Sequence, residues 1–76
     1  MEDEIIIDTI IELTKEKGIY DTIHDEQSLR NDLCLSSFDM IILIHTLEER
    51  LGKKIDLYLL ENVHTVGQLK RVINNA

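Results

Sequence analysis

Apolar positions along this chain fall into a few periodic stretches set apart by polar ones. Ile5, Ile6 and Ile7 are followed by Ile10, Ile11 and Leu13 at helical spacing. Glu2, Asp3 and Glu4 stand ahead of this run, Lys15 and Lys17 lie near its end, and Gly18 follows, which predicts a first helix. Three isoleucines in a row would suit a strand, but the polar residues between the later apolar positions restore the helical period. From Gly18 to Leu35 no period is sustained; Ile19, Tyr20, Ile23 and Leu29 are scattered anchors. Recurring apolar residues without proline predict a long ordered connection that crosses the molecule, rather than a flexible linker.

A second helix is predicted from about Ser37 to Leu51, with Arg50, Gly52, Lys53 and Lys54 suiting its C-terminal cap and the negative end of its dipole. Leu57, Leu60 and Val63 recur every third residue, which predicts one or two turns of helix. Thr65-x-x-Gln68 is a capping box opening a last helix, with Val66, Leu69 and Ile73 on one face and Lys70 and Arg71 on the other. No repeat, low-complexity tract or compositional break divides residues 1–76. The expectation is one all-α domain: a small four-helix bundle with a long connection between helices one and two and a short third helix.

Helix two carries more apolar surface than a core face needs. At about 100° per residue, Met40, Leu43, Ile44, Leu47 and Leu51 form one stripe. Phe38, Ile41 and Ile42 fall outside it, beside His45, Glu48 and Glu49, on the side a surface helix normally keeps polar. The long connection could cover Ile41, which is as well explained that way as by a partner. Phe38, Ile42 and His45 together predict a docking patch rimmed by acids.

Composition narrows the function. A 76-residue chain is one small domain that buries only about 60% of its unfolded surface. Its net charge of −7 disfavours nucleic acid and favours partners with basic surfaces. A single cysteine, Cys34, gives no internal disulfide and no sign of secretion. There is no bilayer-length apolar run and the start is acidic, so a cytoplasmic monomer without membrane insertion is expected. Cys34 is expected to be a small packing residue.

Candidate chemistry concentrates at Leu33-Cys34-Leu35-Ser36-Ser37-Phe38-Asp39-Met40. Ser36-x-x-Asp39 before an apolar run reads as an N-terminal capping pair, with Ser36 as the cap. Ser37 is then left at the first helical position, where free amides and the dipole favour an anion. A hydrolase reading fails on reach: His45 is eight residues along the helix from Ser37, about 12 Å at 1.5 Å per residue. His24, His45 and His64 have no metal-ligand spacing with Cys34, and no calcium loop is present.

This stretch resembles the acyl carrier protein family, whose second helix opens on Asp-Leu-Gly-x-Asp-Ser-Leu-Asp. Here the chain reads Asp32-Leu33-Cys34-Leu35-Ser36-Ser37-Phe38-Asp39. The likeness continues through Leu47-Glu48-Glu49, Ile55, Thr65-Val66 and Ile73-Asn74, and upstream through Ser28-Leu29 and the acidic first helix. The resemblance implies that Ser37 bears a covalent 4′-phosphopantetheine arm, taken from coenzyme A by a phosphopantetheinyl transferase. The arm would hold an acyl or aminoacyl group as a thioester, making the chain a non-catalytic carrier. It also implies that Phe38, Ile41, His45, Glu48 and Glu49, joined by Ile42 on the helical wheel, meet partner enzymes, namely loading ligases and synthases or transferases with basic docking surfaces.

Four residues depart from the family pattern: Ser36 for a common Asp, Ile42 for a common acid, Cys34 for a turn glycine and Asp56 for a common proline. They suggest a specialised carrier of a secondary-metabolite or aminoacyl pathway. The competing reading is an unmodified helical adaptor that uses the same face of helix two only to bind protein.

Overall fold

The computed structural model describes residues 2–19 and 22–76. Helix α1 spans Glu2–Glu16, α2 spans Ser37–Leu51 and α3 spans Val66–Asn74, with a single 3-10 turn at Leu57–Leu60 between the last two. The predicted short third helix is this one turn. Its period of three residues matches the spacing of Leu57, Leu60 and Val63. Asp56, one of the four departures noted above, caps it by accepting from the Tyr58 amide at 3.0 Å.

Helix α1 stops one residue before Lys17, and its end is followed by Gly18 at φ 80°. The last turn of α2 closes on Gly52 at φ 65°, whose amide donates to the Glu48 carbonyl at 2.9 Å. That left-handed cap is a position glycine fills without a side-chain clash.

The core joins all parts of the chain. Ile6 and Ile10 come from α1, Leu29, Leu33 and Leu35 from the long connection, Leu43, Ile44 and Leu47 from α2, Ile55 from the approach to the 3-10 turn, and Val66, Leu69 and Ile73 from α3. Met40 and Leu51, placed in the core stripe by the helical wheel, are half-buried at its margin. The Cα radius of gyration is 11.1 Å, close to the value of about 11 Å expected of a folded chain this long.

The long connection is ordered by hydrogen bonds to the start of α3. Ser28 and Thr65 form an isolated antiparallel bridge. The Leu29 amide donates to the His64 carbonyl at 2.9 Å, Val66 donates to Gln27 at 3.1 Å and Gly67 donates to Asp25 at 2.9 Å. A Cβ on Gly67 would lie 3.2 Å from the Asp25 Cβ and 3.3 Å from its carbonyl oxygen, so a side chain here would press against Asp25. Lys70 adds an ion pair to Asp25 at 2.7 Å. Leu29 is buried and Ile19 and Ile23 are half-buried, as anchors should be; Tyr20, the fourth expected anchor, lies outside the described residues.

Cys34 corrects one expectation. It is exposed, with φ 58°, and does not pack into the core. Its neighbours Leu33 and Leu35 are both buried, which turns the side chain between them outward. The backbone at Cys34 therefore adopts the left-handed conformation that favours glycine.

Candidate functional site

The start of α2 is built around Ser36 and Asp39. Ser36 has extended backbone, φ −79° and ψ 174°, and its Oγ accepts from the Asp39 amide at 3.1 Å. In return the Asp39 carboxylate accepts from the Ser36 amide at 2.8 Å and from its hydroxyl at 3.0 Å. Lys17, just past the end of α1, lies 2.7 Å from the same carboxylate. That ammonium, and then the Ser36 amide, hold the Asp39 carboxyl below its usual range. Thr65 and Gln68 repeat the reciprocal arrangement at the start of α3.

With Ser36 and Asp39 occupied by each other, Ser37 is the first helical residue, exposed and outside the cap. Its Oγ accepts a hydrogen bond from Arg30 Nη2 at 2.6 Å. Arg30 belongs to the long connection, where sequence periodicity gave no reason to single it out. Among the described residues the serine hydroxyl has no histidine or carboxylate hydrogen-bonded to it. A guanidinium only donates, so Arg30 orients the serine oxygen and does not take its proton. His45 instead faces Glu48, with Nδ1 3.7 Å from a carboxylate oxygen.

Beside Ser37 lies a groove of about 310 Å³ between α2, the connection and the 3-10 turn. Leu29, Met40, Ile41, Leu57, Leu60 and Val63 line it, with Arg30 and Ser37 at its edge. Ile41 remains 41% exposed, so the connection flanks this residue without covering it. Phe38, at 69%, is the most exposed apolar residue of α2. Leu57, Tyr58 and Leu59 on the 3-10 turn are exposed as well, and extend the apolar surface in a direction the helical wheel of α2 could not reveal.

The remaining predicted docking residues do not share one environment. Ile42 sits towards α1, in a recess with Glu12, Leu13, Asp39 and Arg50, and is 37% exposed. His45 and Glu49 are exposed. Glu48 is half-buried, and its Oε2 accepts from the Ile55 amide at 2.7 Å, tying α2 to the segment that leads into the 3-10 turn. Glu49 is thus the acid of this pair that is free to face a partner. No group of three potential metal-ligating side chains occurs among the described residues, and no described helix is long and apolar enough to cross a membrane.

A family model described as a phosphopantetheine attachment site matches residues 4–73. An acyl carrier protein of Saccharopolyspora erythraea is 34% identical over 58 residues, a stretch covering 75% of this chain and 61% of that protein's length. A solved structure from Mycobacterium tuberculosis, assigned as an acyl carrier protein, superposes with a TM-score of 0.85 at 25% identity. That superposition covers 99% of this chain and 97% of the other. The site residues fit the group this family is known by: an uncapped hydroxyl, a guanidinium at its oxygen and an apolar groove alongside.

Proposed function

Because the chain belongs to the family that carries the phosphopantetheine attachment site, an acyl carrier family, we propose that Ser37 is the serine that bears the arm. The observation that carries this reading is the division of labour between neighbouring serines. Ser36 is consumed by the cap, while Ser37 stands exposed one residue later with Arg30 at its oxygen. Attachment would join Ser37 Oγ to the phosphorus of the phosphopantetheine half of coenzyme A. The pyrophosphate bond would break, the nucleotide half would leave and the serine proton would pass to a base of the transferase. When bound, the arm supplies a thiol on which an acyl group rides as a thioester.

The groove favours an apolar acyl group over a charged aminoacyl one. Its volume of about 310 Å³ lies at the small end of ligand sites, and each methylene buried there contributes about 0.8 kcal/mol. Phe38, Ile41, His45 and Glu49, with Ile42 on the side towards α1, are the exposed residues of α2 offered to partner enzymes in the cytoplasm. Glu48 supports that face through its bond to Ile55. The net charge of −7 suits partners with basic docking surfaces, since complementary charge speeds encounter.

Intact mass after incubation with coenzyme A and a broad-specificity transferase tests the assignment. Wild type and Ser36→Ala are expected to gain one arm and Ser37→Ala none, with Ser37→Ala still folded. An arm gained by Ser37→Ala would move the site elsewhere. No gain in any of the three, beside a competent control carrier, would favour the adaptor reading.

A further inference from the structure

Arg30 is the one charged side chain in the wall of the groove. Its guanidinium makes no ion pair among the described residues and is instead spent on the neutral Ser37 hydroxyl. The neighbouring cation, Lys17, is already taken by Asp39. Asp39 and Ser36 satisfy each other, and Asp32 accepts from the Ser28 amide at 2.6 Å. Of these charged groups, Arg30 is the one bonded to the Ser37 oxygen, and among the described residues it has no carboxylate partner.

The backbone around Arg30 is also held in place. Leu29, immediately before it, is buried and donates to His64, while the Leu33 and Asp32 amides donate back to the Ser28 carbonyl at 3.1 and 3.0 Å. The side chain thus springs from a turn stapled to the start of α3.

Resting on the reading of Ser37 as the attachment serine, we infer that Arg30 is a positioning residue that binds the phosphodiester of the attached arm. The phosphorus would be bonded directly to the oxygen that Arg30 already reaches. The ester carries one negative charge and free oxygens, which a planar guanidinium fork matches better than an ammonium does. Arg30 and Ser37 both border the groove, so a phosphate held between them keeps the root of the arm at the groove's edge. Such a pair is exposed and therefore weakened by salt.

Phosphorus NMR on the loaded protein tests this without reference to any partner enzyme. Wild type, Arg30→Gln and Arg30→Lys are loaded, and the single arm is verified by intact mass. In wild type the phosphorus resonance is expected to sit away from that of free phosphopantetheine, and to move towards it as salt is raised. In Arg30→Gln it is expected near the free position at all salt concentrations, with a narrower line, and in Arg30→Lys between the two. Superimposable spectra and salt responses for loaded wild type and Arg30→Gln would overturn the role of Arg30 while leaving Ser37 as the site. An Arg30→Lys resonance coinciding with that of Arg30→Gln, away from wild type, would also overturn it, because restored charge would have restored nothing. Absence of any mass gain in wild type would remove the premise at Ser37 before a spectrum is recorded.

Discussion

Two adjacent serines of this chain do different work, and the difference is measurable. Ser36 accepts from the Asp39 amide, and loss of such a cap costs about 1 kcal/mol. Ser36→Ala is expected to lower stability by about that much in a denaturant titration and still accept the arm. Ser37→Ala is expected to show the reverse, full stability and no loading. Acid acts on the same cap. The Asp39 carboxyl is held below its ordinary value by Lys17 first and the Ser36 amide second. A carboxyl whose folded value is depressed contributes stability that is present above its unfolded value and lost as pH falls through the folded one. Thermal stability is therefore expected to decline as pH drops below the ordinary aspartate range. Lys17→Met should flatten that decline; an unchanged acid limb in this variant would show that Lys17 does not hold the carboxylate.

Cys34 makes a further point at the same scale. A left-handed residue other than glycine costs about 1–2 kcal/mol, partly offset here by the entropy that glycine would bring to the unfolded chain. Cys34→Gly is expected to raise stability by about 0.5 kcal/mol in the same titration. The chain held a clue to this residue's exposure. Cys34 stands where the family commonly has a turn glycine, and turn residues of that kind lie at the surface. Reading Cys34 by its residue type alone missed that signal.

At the scale of elements, the helices were legible because their ends carry chemistry as well as period. Ser36 with Asp39, Thr65 with Gln68, and Gly52 each mark a boundary of an element where it is found. The third element was legible as a short helical piece, but its 3-10 geometry was not, because a spacing of three also fits one face of an α-helix. Less legible was the use of each face. On a wheel, Glu48 and Glu49 both fall outside the core stripe, about 100° apart, but the Ile55 amide engages Glu48 through a contact no helical period encodes. Arg30 lay in a stretch without periodicity, and only the folding of the connection against α2 brings it to Ser37.

Ile42 tests the proposed partner face of α2. It is partly exposed and packs beside Glu12 and Asp39, so Ile42→Glu adds charge to an already acidic recess and removes an apolar contact. The rate of transfer from the loaded protein to its partner is expected to fall severalfold while loading is unchanged. An undiminished transfer rate would remove Ile42 from the docking face.

For the whole molecule, α1 and α2 form the main helix pair, joined at their margins by Arg50 with Glu12 and Thr9, by Lys53 with Glu2 at 3.0 Å, and by Lys17 with Asp39. Asn74 ties α3 back to Asp3 at 2.8 Å. Gly67 closely approaches Asp25 where the connection meets α3. Gly67→Ala is expected to loosen the Asp25 and Gln27 bonds and to destabilise the fold by about 1 kcal/mol or more through overpacking, read as a lower unfolding midpoint.

The groove beside Ser37 inherits an asymmetry from these joints. Its Leu29–Arg30 wall is bonded to the root of α3, whereas the opposite wall is one 3-10 turn in which no residue is fully buried. Free energies of local opening follow such differences in burial and backbone bonding. Backbone amides at residues 57–63 should thus exchange with deuterium well before those of 27–35, so the cleft works as a fixed jaw facing a sprung one. An attached chain of growing length would then be accommodated by yielding on one side only, and the protection of residues 57–63 would report how much of that chain the protein has taken in.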